Sequence, residues 1–153
     1  MKTTRITLGE VLQYDPDFEA EVDKIKDQGG VYISDKPSGD YGTVFLLNGK
    51  AVKVKNAEHQ TALTQKNAEH AQKLKGKKTN NFAFIYDVEI IHSKLGIITM
   101  EVLAPLNQNI PEEWIDATEK EAKRLGIDPE ELDFVGDNVM QHPKSGKLKM
   151  IDV

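Results

Sequence analysis

The stretch Thr43-Val-Phe-Leu-Leu47-Asn48-Gly49-Lys50-Ala51-Val-Lys-Val-Lys55 decides the fold. Two strand-like runs flank Asn48-Gly49, a dipeptide that tolerates positive φ at both positions and so closes a tight hairpin. Toward the N-terminus, Val31-Tyr-Ile-Ser34 reads as a further short strand. Before it, Asp15 and Pro16 open a helix in which Phe18, Val22 and Ile25 repeat at helical spacing until Gly29-Gly30. Toward the C-terminus, residues 57–74 are rich in Ala, Gln, Glu and Lys without Gly or Pro, the composition of one helix. Phe82 to Ile91 and Gly96 to Leu103 are expected to be strands around a turn at His92-Ser-Lys94. A linker between Pro105 and Pro111 follows, then a helix from Pro111 to about Leu125 closed by Gly126, and a short turn at Asp128-Pro129. Val139-Met-Gln141 and Leu148 to Ile151 flank Pro143-Lys-Ser-Gly146 as a last hairpin.

The chain of 153 residues is long enough for one domain, burying roughly 68–70% of its unfolded surface. Hydrophobic residues make up 39% and charged residues 29%, the balance of a globular protein. With no cysteine, disulfides, thiolate metal sites and a Cys nucleophile are excluded, which suits a reducing cytoplasm. No stretch reads as a signal peptide or reaches membrane-spanning length, so no membrane partner is expected. The net charge of −5 argues against nucleic acid as a partner. The basic run Lys73 to Lys78 falls where a helix ends, which makes it a solvated terminus or a phosphate-binding surface. The four histidines have no metal-ligand spacing. Trp114 is expected to anchor its helix to the core.

Chemistry concentrates at the end of the chain, in Asp133-Phe-Val-Gly-Asp-Asn138 and Met150-Ile-Asp152-Val153. A carboxylate followed by an amide, and a second carboxylate after a hairpin, can hold a hydroxyl nucleophile and a hard cation. With Ser38-Gly39-Asp-Tyr-Gly42-Thr-Val44 and Ala51-Val52-Lys53 placed ahead of it, the set resembles the protein kinase-like superfamily, over about residues 31 to 153. The resemblance implies an α+β fold: a small lobe of residues 31–104, with a five-stranded antiparallel sheet and one long helix. Residues 1–30 would be a helical extension and 105–153 a strongly reduced large lobe.

It also implies roles. Gly39 and Gly42 would let backbone N–H groups approach phosphates, Val44 would pack on the adenine, and Lys53 would touch the α and β phosphates. Glu69, sixteen residues on, would pair with Lys53; an exposed pair with Lys73 is its other reading. Met100 would guard the back of the nucleotide pocket, and the backbone from Glu101 to Leu103 would bond the adenine edge. Asp133 would accept the proton of the attacking hydroxyl, with Asn138 and Asp152 as Mg²⁺ ligands.

The expectation is a minimal ATP- and Mg²⁺-dependent phosphotransferase, a Ser/Thr kinase acting on a host or partner protein. Such compact kinases occur in some bacterial effectors and phages, so the cytoplasm in question could be a host's. An inactive nucleotide-binding or interaction module and a small-molecule kinase are the alternatives. Three departures bear on this: Pro37 replaces the usual first glycine, Glu131-Leu132 replaces the usual histidine pattern before Asp133, and Val153 follows Asp152 in place of Phe-Gly. Within the chain no activation segment follows Asp152.

Overall fold

The computed structural model describes residues 16–34, 42–56, 61–92, 95–134 and 138–151. Helix α1 (Pro16–Asp27) precedes strands β1 (Val31–Ser34), β2 (Gly42–Leu47) and β3 (Lys50–Asn56). Helix α2 (Thr61–Leu74) leads to β4 (Ile85–His92) and β5 (Leu95–Met100). Helix α3 (Glu112–Arg124), a 3-10 turn (Pro129–Glu131) and the hairpin β6 (Val139–Gln141) and β7 (Leu148–Met150) complete the described part. No helix among the described residues is long and apolar enough to cross a membrane.

Five antiparallel strands form one sheet in the order β1-β2-β3-β5-β4. Its centre is the hairpin read from sequence: Asn48 and Gly49 have φ of 53° and 75°, the left-handed pair a two-residue hairpin turn demands. β3 is therefore an interior strand, bonded to β2 on one side and β5 on the other, so its lysines do not protect an edge.

Alternation along β3 sends successive side chains to opposite faces. Val52 and Val54 face outward with Phe45, Leu95 and Ile97, and α1 covers this side with Phe18, Val22 and Ile25. The chain leaves α1 through Gly30, whose N–H bonds the Ile25 carbonyl at 2.9 Å. A Cβ there would lie 2.7 Å from that carbonyl oxygen, so only glycine fits the turn. The other face carries Val44, Ala51, Ile98 and Met100 and shares one core with α2, Ile127, Leu132 and the β6–β7 hairpin.

The sheet half and the hairpin half are joined by backbone. Ala83 N–H donates to the Met150 carbonyl (2.9 Å), Met150 N–H to that of Asn81 (2.7 Å), and Ala104 and Gln141 exchange bonds of 2.8 and 3.0 Å. The strand expected from Phe82 thus begins at Ile85, because residues 81–83 pair with β7 and not with β5. Likewise β5 ends at Met100 and not at Leu103, where the chain turns away toward Gln141. Pro111 and Leu125 flank α3 as its caps, one residue outside each end of the helix.

Candidate functional site

Lys53 stands directly opposite Val44 on β2 and Ile98 on β5, so all three project from the face shared with the hairpin half. Only 2% of Lys53 is exposed. A buried ammonium carries a desolvation cost that an ordinary core position does not bear. On the same face, two residues away along β3, Ala51 pairs with Met100, and Met100 with Ile85, all buried. Val44 is partly buried against this core. Gly42 opens β2 opposite Lys55, whereas Gly39 lies outside the described residues.

After Met100, Glu101 is fixed twice: its N–H donates to the Phe84 carbonyl at 3.0 Å, and its carboxylate accepts the Phe84 N–H at 2.7 Å. Ala104 is fixed by Gln141. Between these anchors, the carbonyl of Glu101 and both backbone groups of Val102 and Leu103 have no protein hydrogen bond among the described residues. A short ladder of donors and acceptors is therefore presented by a segment held at both ends.

Asn138 is buried at 8% exposure where the last hairpin starts. Its side-chain amide donates to the Asp133 carbonyl at 3.1 Å, and its own carbonyl accepts the Ile151 N–H at 2.9 Å. Among the described residues its Oδ1 has no hydrogen-bond partner. A buried amide oxygen without a donor is costly unless something else uses it, and a hard cation is one such user. Asp133 itself is exposed, two residues beyond the 3-10 segment. Asp152, directly after Ile151, lies outside the described residues. No group of three or more His, Cys, Asp or Glu side chains able to hold a metal occurs among the described residues.

The buried side of α2 is formed by Ala68, His70, Ala71 and Leu74, and Glu69 is exposed on the opposite side. No bond joins Glu69 to Lys53 among the described residues, and pairing them would require the helix to turn about its axis by roughly half a revolution. Nor does Glu69 pair with Lys73, whose ammonium donates to the Gly126 carbonyl at 2.6 Å.

Two polar contacts lie beyond what the sequence pattern reveals. Glu121 accepts the N–H groups of Asn80 (2.8 Å) and Asn81 (2.9 Å), and Asn81 also donates to Thr118 Oγ1 (2.9 Å). His70 Nε2 on α2 lies 3.7 Å from Glu131 Oε2, two residues before Asp133. The Glu121 bonds tie the segment after α2 to α3, and the His70 contact, longer than a hydrogen bond, brings α2 close to Glu131.

Comparison with known proteins supplies no relative: no protein-family model matches the chain, and neither does any curated protein sequence.

Proposed function

We propose that the protein is a minimal kinase-like phosphotransferase that takes the γ-phosphoryl group of ATP, with Mg²⁺, to a hydroxyl of a protein substrate, in a cytoplasmic setting. The observation that carries this reading is the buried Lys53 on the interior strand of a β1-β2-β3-β5-β4 sheet, on the face whose core continues into the hairpin begun by Asn138. The strand order β1-β2-β3-β5-β4 and the helix between β3 and β4 support this reading, because a kinase-like small lobe would need both.

In this reading Lys53 holds phosphate oxygens, Val44 and Met100 border the adenine, and the backbone groups from Glu101 to Leu103 bond its edge. Asn138, through the Oδ1 that has no partner among the described residues, would hold the metal together with Asp152. Bound Mg²⁺ neutralises charge on the β and γ phosphates. The acceptor oxygen bonds to the γ-phosphorus as the bond to the β–γ bridging oxygen breaks. ADP departs, and the acceptor's proton passes to the Asp133 carboxylate and then to water. Catalysis rests on positioning and charge, with little covalent chemistry for the protein to perform.

The outward position of Glu69 favours a second reading, a module that binds nucleotide without transferring phosphate. Transfer of ³²P from γ-labelled ATP to a panel of protein acceptors separates the two. The enzyme labels an acceptor, and Asp133→Asn and Asp152→Ala each abolish labelling while the far-UV spectrum is kept. The transferase reading fails if Asp152→Ala labels at the wild-type rate, and a module binds ATP with no labelling at all.

A further inference from the structure

The charges of this chain are unevenly distributed. Lys73 in the last turn of α2 bonds the Gly126 carbonyl just beyond α3, and the Asn80 and Asn81 N–H groups bond Glu121 within α3. Those contacts pin the intervening segment, with Lys77 and Lys78, along the C-terminal end of α3, which carries Lys120, Lys123 and Arg124. All six cations are exposed. Among the described residues no carboxylate forms an ion pair with Lys77, Lys78, Lys120, Lys123 or Arg124, and the nearby Glu121 is buried and occupied by the two N–H groups.

Neutralising helix ends does not account for such a cluster. Two helix C-termini present roughly −0.5 charge each, about one unit in all, against six positive side chains. Lys73 alone already serves both ends, since it belongs to α2 and bonds the carbonyl after α3. Counting Asp116 and Glu119, one helical turn before Lys120 and Lys123, and the buried Glu121, the corner still keeps three of its six positive charges in excess, which an acidic partner would neutralise.

We propose that this corner is a docking surface for an acidic segment of a partner protein. The last turn of α3 spans only about 6 Å along its axis, and four to six extended residues reach roughly 13–20 Å, enough to cross both the turn and the Lys77-Lys78 segment. A short run of Asp and Glu matches that footprint. A long polyanion such as RNA would also run across the surrounding acidic surface, and no aromatic side chain stands within residues 73–78 or 120–126 on which its bases could stack.

The test uses the full chain and two labelled probes of equal charge, a ten-residue Glu/Asp peptide and a single-stranded RNA, in fluorescence anisotropy at about 0.15 M salt. The triple variant Lys77→Glu/Lys78→Glu/Arg124→Glu should weaken peptide binding by at least about ten-fold. The control Lys24→Glu/Lys26→Glu on α1 should change it by less than about two-fold, with both variants melting cooperatively. The proposal is overturned if the wild-type protein binds the acidic peptide no better than a neutral peptide of equal length, if both variants weaken it equally, or if the RNA binds more tightly than the peptide. Should the triple variant fail to fold, Lys77→Gln/Lys78→Gln, which leaves α3 untouched, must still weaken peptide binding more than the α1 control does.

Discussion

Replacing Glu121 by Ala tests how the two halves of the molecule are held in register. The carboxylate is 7% exposed and accepts two backbone N–H groups, at 2.8 Å from Asn80 and 2.9 Å from Asn81. Asn81 is buried and its N–H would be left without a partner, at a cost of about 2–3 kcal/mol. Asn80 is exposed and its N–H can turn to water, so its loss adds only about 1 kcal/mol. The sum of about 3–4 kcal/mol is a large share of the roughly 5–15 kcal/mol that holds a domain folded. For a chain of this length it corresponds to a fall of roughly 10 °C in Tm. Urea unfolding followed by far-UV circular dichroism measures it. Glu121→Gln keeps one acceptor and should lose about half as much, whereas Lys120→Ala on the exposed side should stay within about 0.5 kcal/mol of wild type. If Glu121→Ala and Lys120→Ala unfold at the same midpoint, the link between α3 and the 80–81 segment does not carry the load assigned to it.

Three further outcomes are expected. Ile25→Ala removes the most buried contact of α1 with the outer sheet face and should destabilise the fold by about 2–4 kcal/mol in the same assay; no loss would mean that α1 is not part of the core. Asn138→Ala gives up one hydrogen bond, about 1 kcal/mol of stability. It should also remove the Mg²⁺ dependence of ATP-induced thermal stabilisation, and an unchanged Mg²⁺ response would separate this residue from the metal. At Asp87 the Lys75 ammonium, bonded at 3.0 Å, holds the carboxyl below its usual range. A lowered folded-state pKa gives stability that is present above the unfolded value and lost as pH falls through the folded one. Because both groups are largely exposed, Lys75→Ala should cost at most about 0.5 kcal/mol near neutrality and nothing at about pH 2; a larger loss in acid than at neutrality would reverse the sign and refute the pairing.

Local rules made much of the architecture legible before any coordinates. Asn48-Gly49 specified the central hairpin, Pro16 the start of α1, and Asp128-Pro129 the short turn in which the Asp128 side chain accepts the Glu130 N–H at 3.0 Å. The boundaries that shifted did so for a tertiary reason. Phe82 and Ala83 have strand-like sequence, but their partner is Met150, nearly seventy positions away, and no periodicity within the segment reveals that.

The same limit applies to the candidate site. Lys53, Val44 and Met100 share a face because a period of two fixes their side once the register is known. Spacing along the chain from Lys53 points to Glu69, but the burial of Ala68, Ala71 and Leu74 decides which side of α2 faces the core. Glu121, buried and bonded across forty residues to Asn81, looks in the sequence like any charged residue of a surface helix.

In the proposed site the ammonium of Lys53 and the amide of Asn138 face one nucleotide. Paramagnetic broadening of backbone amide resonances by Mn²⁺, substituted for Mg²⁺ in the presence of ATP, measures that convergence. The amides of Lys53, Asn138 and Ile151 should broaden together, while those of Ile25 and Leu47 on the α1 side of the sheet stay sharp. Broadening at Asn138 with Lys53 unaffected, or no ATP-dependent broadening at any of the three, would contradict it.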